Sequence, residues 1–190
     1  MVVKGLDFER VQLVGILDAD SMLFFSDFRV NERAFQLMEQ VSGRAGRKQQ
    51  QGLVIVQLAQ LQHPLIPLLV SHQYTAFAEL ELEHRKQFFY PPFSRIIVIH
   101  FRHKDKQLVH DAAAVFANNA KHHLGNFMVG PAEPSIGRIR NQYLMELLFK
   151  LPKDAGLMQL CRTVIQQQTA ILQNDKKYRS VVIVADADPA

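Results

Sequence analysis

The chain has 190 residues, 48% of them hydrophobic, with 22 Lys and Arg against 18 Asp and Glu and a formal net charge of +4. That length accommodates one or two domains, and its single cysteine, Cys161, excludes both a disulfide framework and a zinc site built from thiolates. No apolar run approaches the roughly 20 residues of a membrane span, and no basic segment followed by an apolar stretch opens the chain; the expectation is a cytoplasmic protein with no membrane partner, whose mild basic bias suits nucleic acid.

Residues 11–17, Val-Gln-Leu-Val-Gly-Ile-Leu, predict a buried strand. Residues 28–41 then place Phe28, Ala34, Phe35, Leu37, Met38 and Val41 at helical spacing, and residues 53–58 predict a second strand. Pro64 and Pro67 open a helical connector over residues 63–87. It ends in the cluster Phe88-Phe89-Tyr90-Pro91-Pro92-Phe93, where tandem prolines stop a helix and aromatics pin the chain against a neighbour.

The clearest architecture comes last. Residues 95–103 alternate and are rich in β-branched side chains, predicting a strand; residues 106–124 place Leu108, Ala112, Phe116 and Ala120 on one helical face and end at Gly125. Residues 127–130 predict a short strand before a proline-bearing loop, and residues 143–151 another. Leu157, Leu160, Cys161, Val164, Ile171 and Leu172 mark a second amphipathic helix, with Cys161 a small core residue, and residues 180–185 close as a strand. The order βαβ-βαβ is the ferredoxin-like split arrangement. It is a common scaffold and assigns no function by itself.

In the loop between the two halves, Arg138 and Arg140 flank Ile139 beside Asn141, Gln142 and Tyr143. A basic loop with an adjacent aromatic suits a phosphate backbone and a stacked base, although basic residues at turns also serve solubility alone. His100 and His103 lie three apart in a predicted strand, and His122 and His123 are adjacent at a helix end. Neither pair has the i, i+4 spacing of a helix-borne metal site, so solvated or helix-ending roles are expected.

Residues 40–47 read Gln-Val-Ser-Gly-Arg-Ala-Gly-Arg. Arg44 and Arg47 stand three apart, and Gly43 and Gly46 let the backbone come close to whatever the two guanidiniums reach. Two permanently charged forks suit a phosphate chain, and a positioned arginine is worth roughly 10³ to 10⁵ in the rate of phosphoryl transfer. A solvated basic loop explains the same residues when they stand alone, but they do not stand alone. Val3-Lys4-Gly5-Leu6-Asp7-Phe8 comes first, then Leu17-Asp18-Ala19-Asp20, then Asp27-Phe28-Arg29 with Glu32 and Arg33, and then the octapeptide. Downstream come His63-Pro64-Leu65-Ile66, Tyr90-Pro91-Pro92-Phe93-Ser94, Val129-Gly130-Pro131-Ala132 and Asp186-Ala187-Asp188-Pro189. The octapeptide resembles the arginine-finger motif of superfamily-two helicases. The whole succession resembles the primosomal protein N′ (PriA) family of ATP-dependent 3′-5′ DNA helicases that restart replication.

That resemblance implies an α/β and α+β chain: the end of a second RecA-like helicase lobe over residues 1–62, a helical connector over 63–93, and a C-terminal DNA-holding domain over 94–190. It implies that Arg47 is the finger, that Arg44 is a second phosphate contact and that Gln40 faces the nucleotide. Gly5 and Asp7 would couple the nucleotide site to nucleic acid, and Lys4, Arg138, Arg140 and Tyr143 would contact DNA. Met1 falls where the family often has an internal methionine, so the chain is expected to be a C-terminal fragment with an incomplete lobe sheet. The family's ATP, Mg²⁺ and zinc belong to the full-length protein. No G-x-x-x-x-G-K-[ST] loop or acidic box is present here, and the fragment alone is expected not to hydrolyse ATP. The implied partners are branched and single-stranded DNA, single-stranded-DNA-binding protein and primosome loading factors. The competing reading is a non-enzymatic nucleic-acid or protein-binding module in which the octapeptide is only an anion-binding loop.

Overall fold

The computed structural model describes residues 11–24, 27–43, 45 and 52–189. The chain divides into two compact units, Met1–His84 and Arg85–Ala190. In the first, strands β1 (Leu13–Ile16) and β2 (Leu53–Val56) pair in parallel, with Leu13 opposite Leu53 and Ile16 opposite Val56. Parallel neighbours need a crossover, and here it carries helix α1 (Asp20–Leu23) and helix α2 (Val30–Ser42). Four residues are too few to show a period, which is why the sequence pattern predicts nothing at α1. Its position is set by Asp20, whose carboxylate accepts the Ala59 N–H at 2.7 Å and clamps the helix to the chain leaving β2. Helix α2 starts two residues later than its spacing predicts. Before it, Asp27 accepts the Arg29 N–H at 2.9 Å and pairs with Arg33 at 2.8 Å, holding the entry as a turn.

Helices α3 (Leu65–Val70) and α4 (Tyr74–Gln87) follow. Ile16, Leu23, Ala34, Phe35, Met38, Leu65, Leu69 and Phe77 form this unit's core, in which Phe35 stacks on Phe77 with centroids 4.3 Å apart. Asn31 Nδ2 donates to the buried Glu81 at 2.9 Å, so this carboxylate has a partner.

The second unit contains β3 (Arg95–His103), α5 (Lys106–Leu124), β4 (Met128–Ala132), β5 (Arg138–Ile139), β6 (Gln142–Leu151), α6 (Ala155–Asn174) and β7 (Val182–Ala187). Strand order is β4-β6-β3-β7 with every pairing antiparallel, which is the split βαβ-βαβ topology the sequence predicts. Both helices start at side-chain caps: Asp105 accepts the Leu108 N–H at 3.1 Å, and Asp154 accepts the Leu157 N–H at 2.7 Å. Gly125 does not end α5 in the left-handed cap its position suggests. Its φ is −53°, and the chain tightens into a 3₁₀ turn, Gly125–Phe127, that leads directly into β4. A left-handed backbone appears instead at Gly130, φ 100°, where the β4–β6 register shifts and an added Cβ would meet Glu146 O at 3.0 Å.

Period-two alternation sends Ile97, Ile99 and Phe101 of β3, and Met145, Leu147, Phe149 and Leu151 of β6, into one core with α5 and α6. Phe101 meets Phe116 edge to face at 5.3 Å. Cys161 is buried in this core and burial pushes its thiol up to about 11, so it is packing and not chemistry. Among the described residues no helix is long and apolar enough to cross a membrane.

The opposite sheet face carries half-buried Val98, His100, Glu146 and Leu148. His100 is not the solvated residue the sequence suggests, because register places it directly opposite Glu146 with Nδ1 3.1 Å from Oε1. The hydrogen bond to Glu146 raises the His100 pKa above 6.5; burial opposes this, Glu146 and Asp186 add favourable charge, and Arg102 subtracts. A folded state that holds this proton more tightly gains stability that is complete below the unfolded pKa and is lost as pH rises through the raised folded value. Urea unfolding of wild type and His100→Gln is therefore expected to show a stability difference in favour of wild type at mildly acidic pH that shrinks as the solution turns alkaline. A pH-independent difference would contradict the pairing.

Candidate nucleic-acid interface

The segment the sequence presents as a loop between the two halves is a hairpin. Arg138 pairs with Tyr143 and Ile139 with Gln142, leaving Arg140 and Asn141 as a two-residue turn. Their φ values, 47° and 63°, are those of a type I′ turn, whose twist matches antiparallel strands. Asn tolerates this region through its short polar side chain, but Arg pays the Cβ clash, about 1–2 kcal/mol. The turn therefore holds a residue that it disfavours, at an exposed tip where Arg138, Ile139 and Arg140 all face solvent.

The hairpin also organises its charges. The Arg138 guanidinium lies 4.9 Å from the Tyr143 ring centroid, and its Nη2 donates to Asn141 Oδ1. Lys106, the first residue of α5, places Nζ 5.9 Å from the same ring and 3.1 Å from Glu133. A half-buried phenol ring is thus attended by two cations drawn from separate elements. Arg138 lies over the ring and is itself exposed, so the surface offered to solvent here includes a guanidinium. Such a surface accepts phosphate oxygens in its plane and an aromatic base on its face.

Of the residues singled out in the sequence, Arg138 and Tyr143 are brought into contact and Arg140 stands at the tip of the same hairpin. Gln40 is exposed on α2. Lys4, Gly5, Asp7, Arg44 and Arg47 lie outside the described residues. The approach of Lys106 is the addition: it lies far from Tyr143 in sequence, and only the fold joins them. Asn141, named beside the loop in the sequence, takes the second place in the turn. Among the described residues no three His, Cys, Asp or Glu side chains are grouped to hold a metal ion.

A five-stranded antiparallel sheet, four strands in line and the short β5 beside β6, with two helices on one face and a basic β5–β6 hairpin, defines a small α+β domain of split βαβ class. The chain belongs to the family of the primosomal protein N C-terminal domain, which its residues 86–190 match. Over its whole length it is 33% identical to the replication restart protein PriA of Bacillus subtilis and 35% identical to that of Treponema pallidum. Against PriA of Synechocystis it is 38% identical over 80% of the chain. It spans 23%, 28% and 18% of the lengths of these three relatives, respectively.

Relieving the strained turn tests the hairpin geometry. Arg140→Asn is expected to raise stability by up to about 1 kcal/mol in thermal or urea unfolding, since Asn suits the first central position of a type I′ turn. A loss of stability would mean that Arg140 contributes packing or pairing that outweighs its backbone cost.

Proposed function

We propose that this chain serves a replication-restart DNA helicase and that its second unit holds branched and single-stranded DNA through the Arg138–Arg140 hairpin. The observation that carries this is a guanidinium braced over Tyr143 beside a second arginine at an exposed tip. Arg138 and Arg140 neutralise backbone phosphates, Tyr143 fixes the orientation of Arg138, and Lys106 adds charge at the base. Contacts of this kind position DNA without reading its sequence, which suits a protein that must engage any stalled fork.

In the first unit, the parallel β1–β2 pair joined through α2 supports the reading of residues 1–62 as the end of a RecA-like lobe. Arg47 and Arg44 then supply phosphate-facing charge and Gln40 faces the nucleotide, while Lys4, Gly5 and Asp7 link the nucleotide site to DNA. The residues present do not fit a complete ATP site, since the sequence holds no phosphate-cradling P-loop. ATP, Mg²⁺ and zinc are accordingly assigned to the longer protein. Single-stranded-DNA-binding protein and primosome loading factors are its proposed partners, and the cytoplasm its compartment.

The test is binding of the chain to labelled forked, single-stranded and duplex DNA across a salt series. Each phosphate contact contributes about 0.7–0.9 to the slope of log K against log salt. The double variant Arg138→Ala/Arg140→Ala is expected to bind more weakly and to lower that slope by about 1.5. Absence of binding at low salt, or an unchanged slope in the variant, would refute the hairpin as the DNA-holding surface.

A further inference from the structure

The second unit begins with the last turn of α4 and a strap, residues 88–94, whose backbone is tied by hydrogen bonds while its three phenylalanine side chains stay exposed. Tyr90 N–H donates to Arg85 O at 2.7 Å, Phe93 N–H to Tyr90 O at 2.9 Å, and the buried Ser94 hydroxyl to Phe89 O at 2.8 Å. Lys150 completes the fastening: its Nζ donates to Phe88 O at 2.9 Å and sits 3.5 Å from the Tyr90 ring centroid. Phe89 is held at φ 53°, a conformation that a bulky aromatic rarely adopts unless its surroundings enforce it. Yet Phe88, Phe89 and Phe93 remain 58%, 36% and 38% exposed, whereas Phe35, Phe101, Phe116 and Phe149 are essentially inaccessible. Tandem prolines and aromatics predict a segment pinned against a neighbour; the backbone is pinned, and the three phenyl rings are presented.

The charges beside the strap indicate what the rings meet. Lys86 and Lys153 are exposed and Lys150 lies within the strap's own hydrogen bonding. Two acids of this unit are committed elsewhere: Asp154 caps α6, and Asp188 accepts from Arg95 at 2.9 Å and from the Ile96 N–H at 3.2 Å, while Asp186, farther along β7, is exposed. Rigidly carried aromatic faces among amines are the two components of a surface that stacks unpaired bases and tracks their phosphates. We infer that Phe88, Phe89 and Phe93 form a second DNA contact, a stacking platform for single-stranded DNA separate from the phosphate-holding hairpin. The inference rests on the reading of the chain as DNA-binding, and it divides the labour: the hairpin engages backbone, the strap engages bases.

The experiment compares the intact chain with Phe88→Ala/Phe93→Ala, Phe88→Leu/Phe93→Leu and Phe88→Tyr/Phe93→Tyr variants, with circular dichroism to confirm the fold. The ligands are a fluorescent oligothymidine and an abasic strand of equal length. Wild type is expected to bind oligothymidine about tenfold or more tighter than the abasic strand. The Ala and Leu variants should lose that preference with little change in salt slope, because stacking releases few counterions, and the Tyr variant should keep it. Wild-type affinity in the Ala variant overturns the platform while leaving the hairpin reading intact. Wild-type affinity in the Leu variant alone shows that apolar bulk suffices, which also overturns it. No binding of either strand by wild type removes both this inference and the reading on which it rests.

Discussion

The pairing of β3 with β6 governs the second unit. Nine consecutive residue pairs, from Arg95 with Leu151 to His103 with Tyr143, hold the two central strands in one register. A slip of one residue would turn Ile97, Ile99 and Phe101 out of the core and send His100 and Arg102 into it. The same register puts Tyr143 at the end of the ladder, where the β5 hairpin folds back and lays Arg138 across its ring. Core and candidate interface are therefore two consequences of one alignment.

Away from the core, the design of this unit is a contrast between fixed backbone and unspent side chains. The hairpin accepts an arginine at a left-handed position, and the strap accepts a phenylalanine at another. Neither conformation is favoured by the residue that adopts it, and both place a charged or aromatic group toward solvent. Packing holds each in place: β5 is anchored along β6, and the strap is tied to Lys150 near the other end of the same strand. Strand β6 thus connects the two proposed DNA contacts, one near each end.

The second unit was largely legible because its elements are long and its periods clean. The alternation of residues 95–103 and 143–151 and the apolar stripes around Phe116 and Val164 determine strand order once the split βαβ-βαβ pattern is recognised. Short features escaped. A two-residue β5 has no period to read, and Arg140 is a poor signal for a type I′ turn because arginine does not favour positive φ. The Lys106–Tyr143 approach and the His100–Glu146 pair depend on register, which a single sequence does not display. In the first unit α2, β1 and β2 follow from spacing and apolar runs, while α1 depends on one carboxylate, Asp20, reaching across to Ala59. The octapeptide's arginines were legible as chemistry through their resemblance to a helicase motif, but they lie outside the described residues and have no geometry to compare.

On the proposed reading, DNA lies along the β5–β6 hairpin end of this chain. The decisive measurement is amide chemical-shift mapping of the isotope-labelled chain titrated with a forked oligonucleotide at low salt. The largest perturbations are expected on residues 138–143 and Lys106, with a second group on residues 86–93. Perturbations confined to the outer faces of α5 and α6, with the hairpin silent, would rule the hairpin out as the DNA contact.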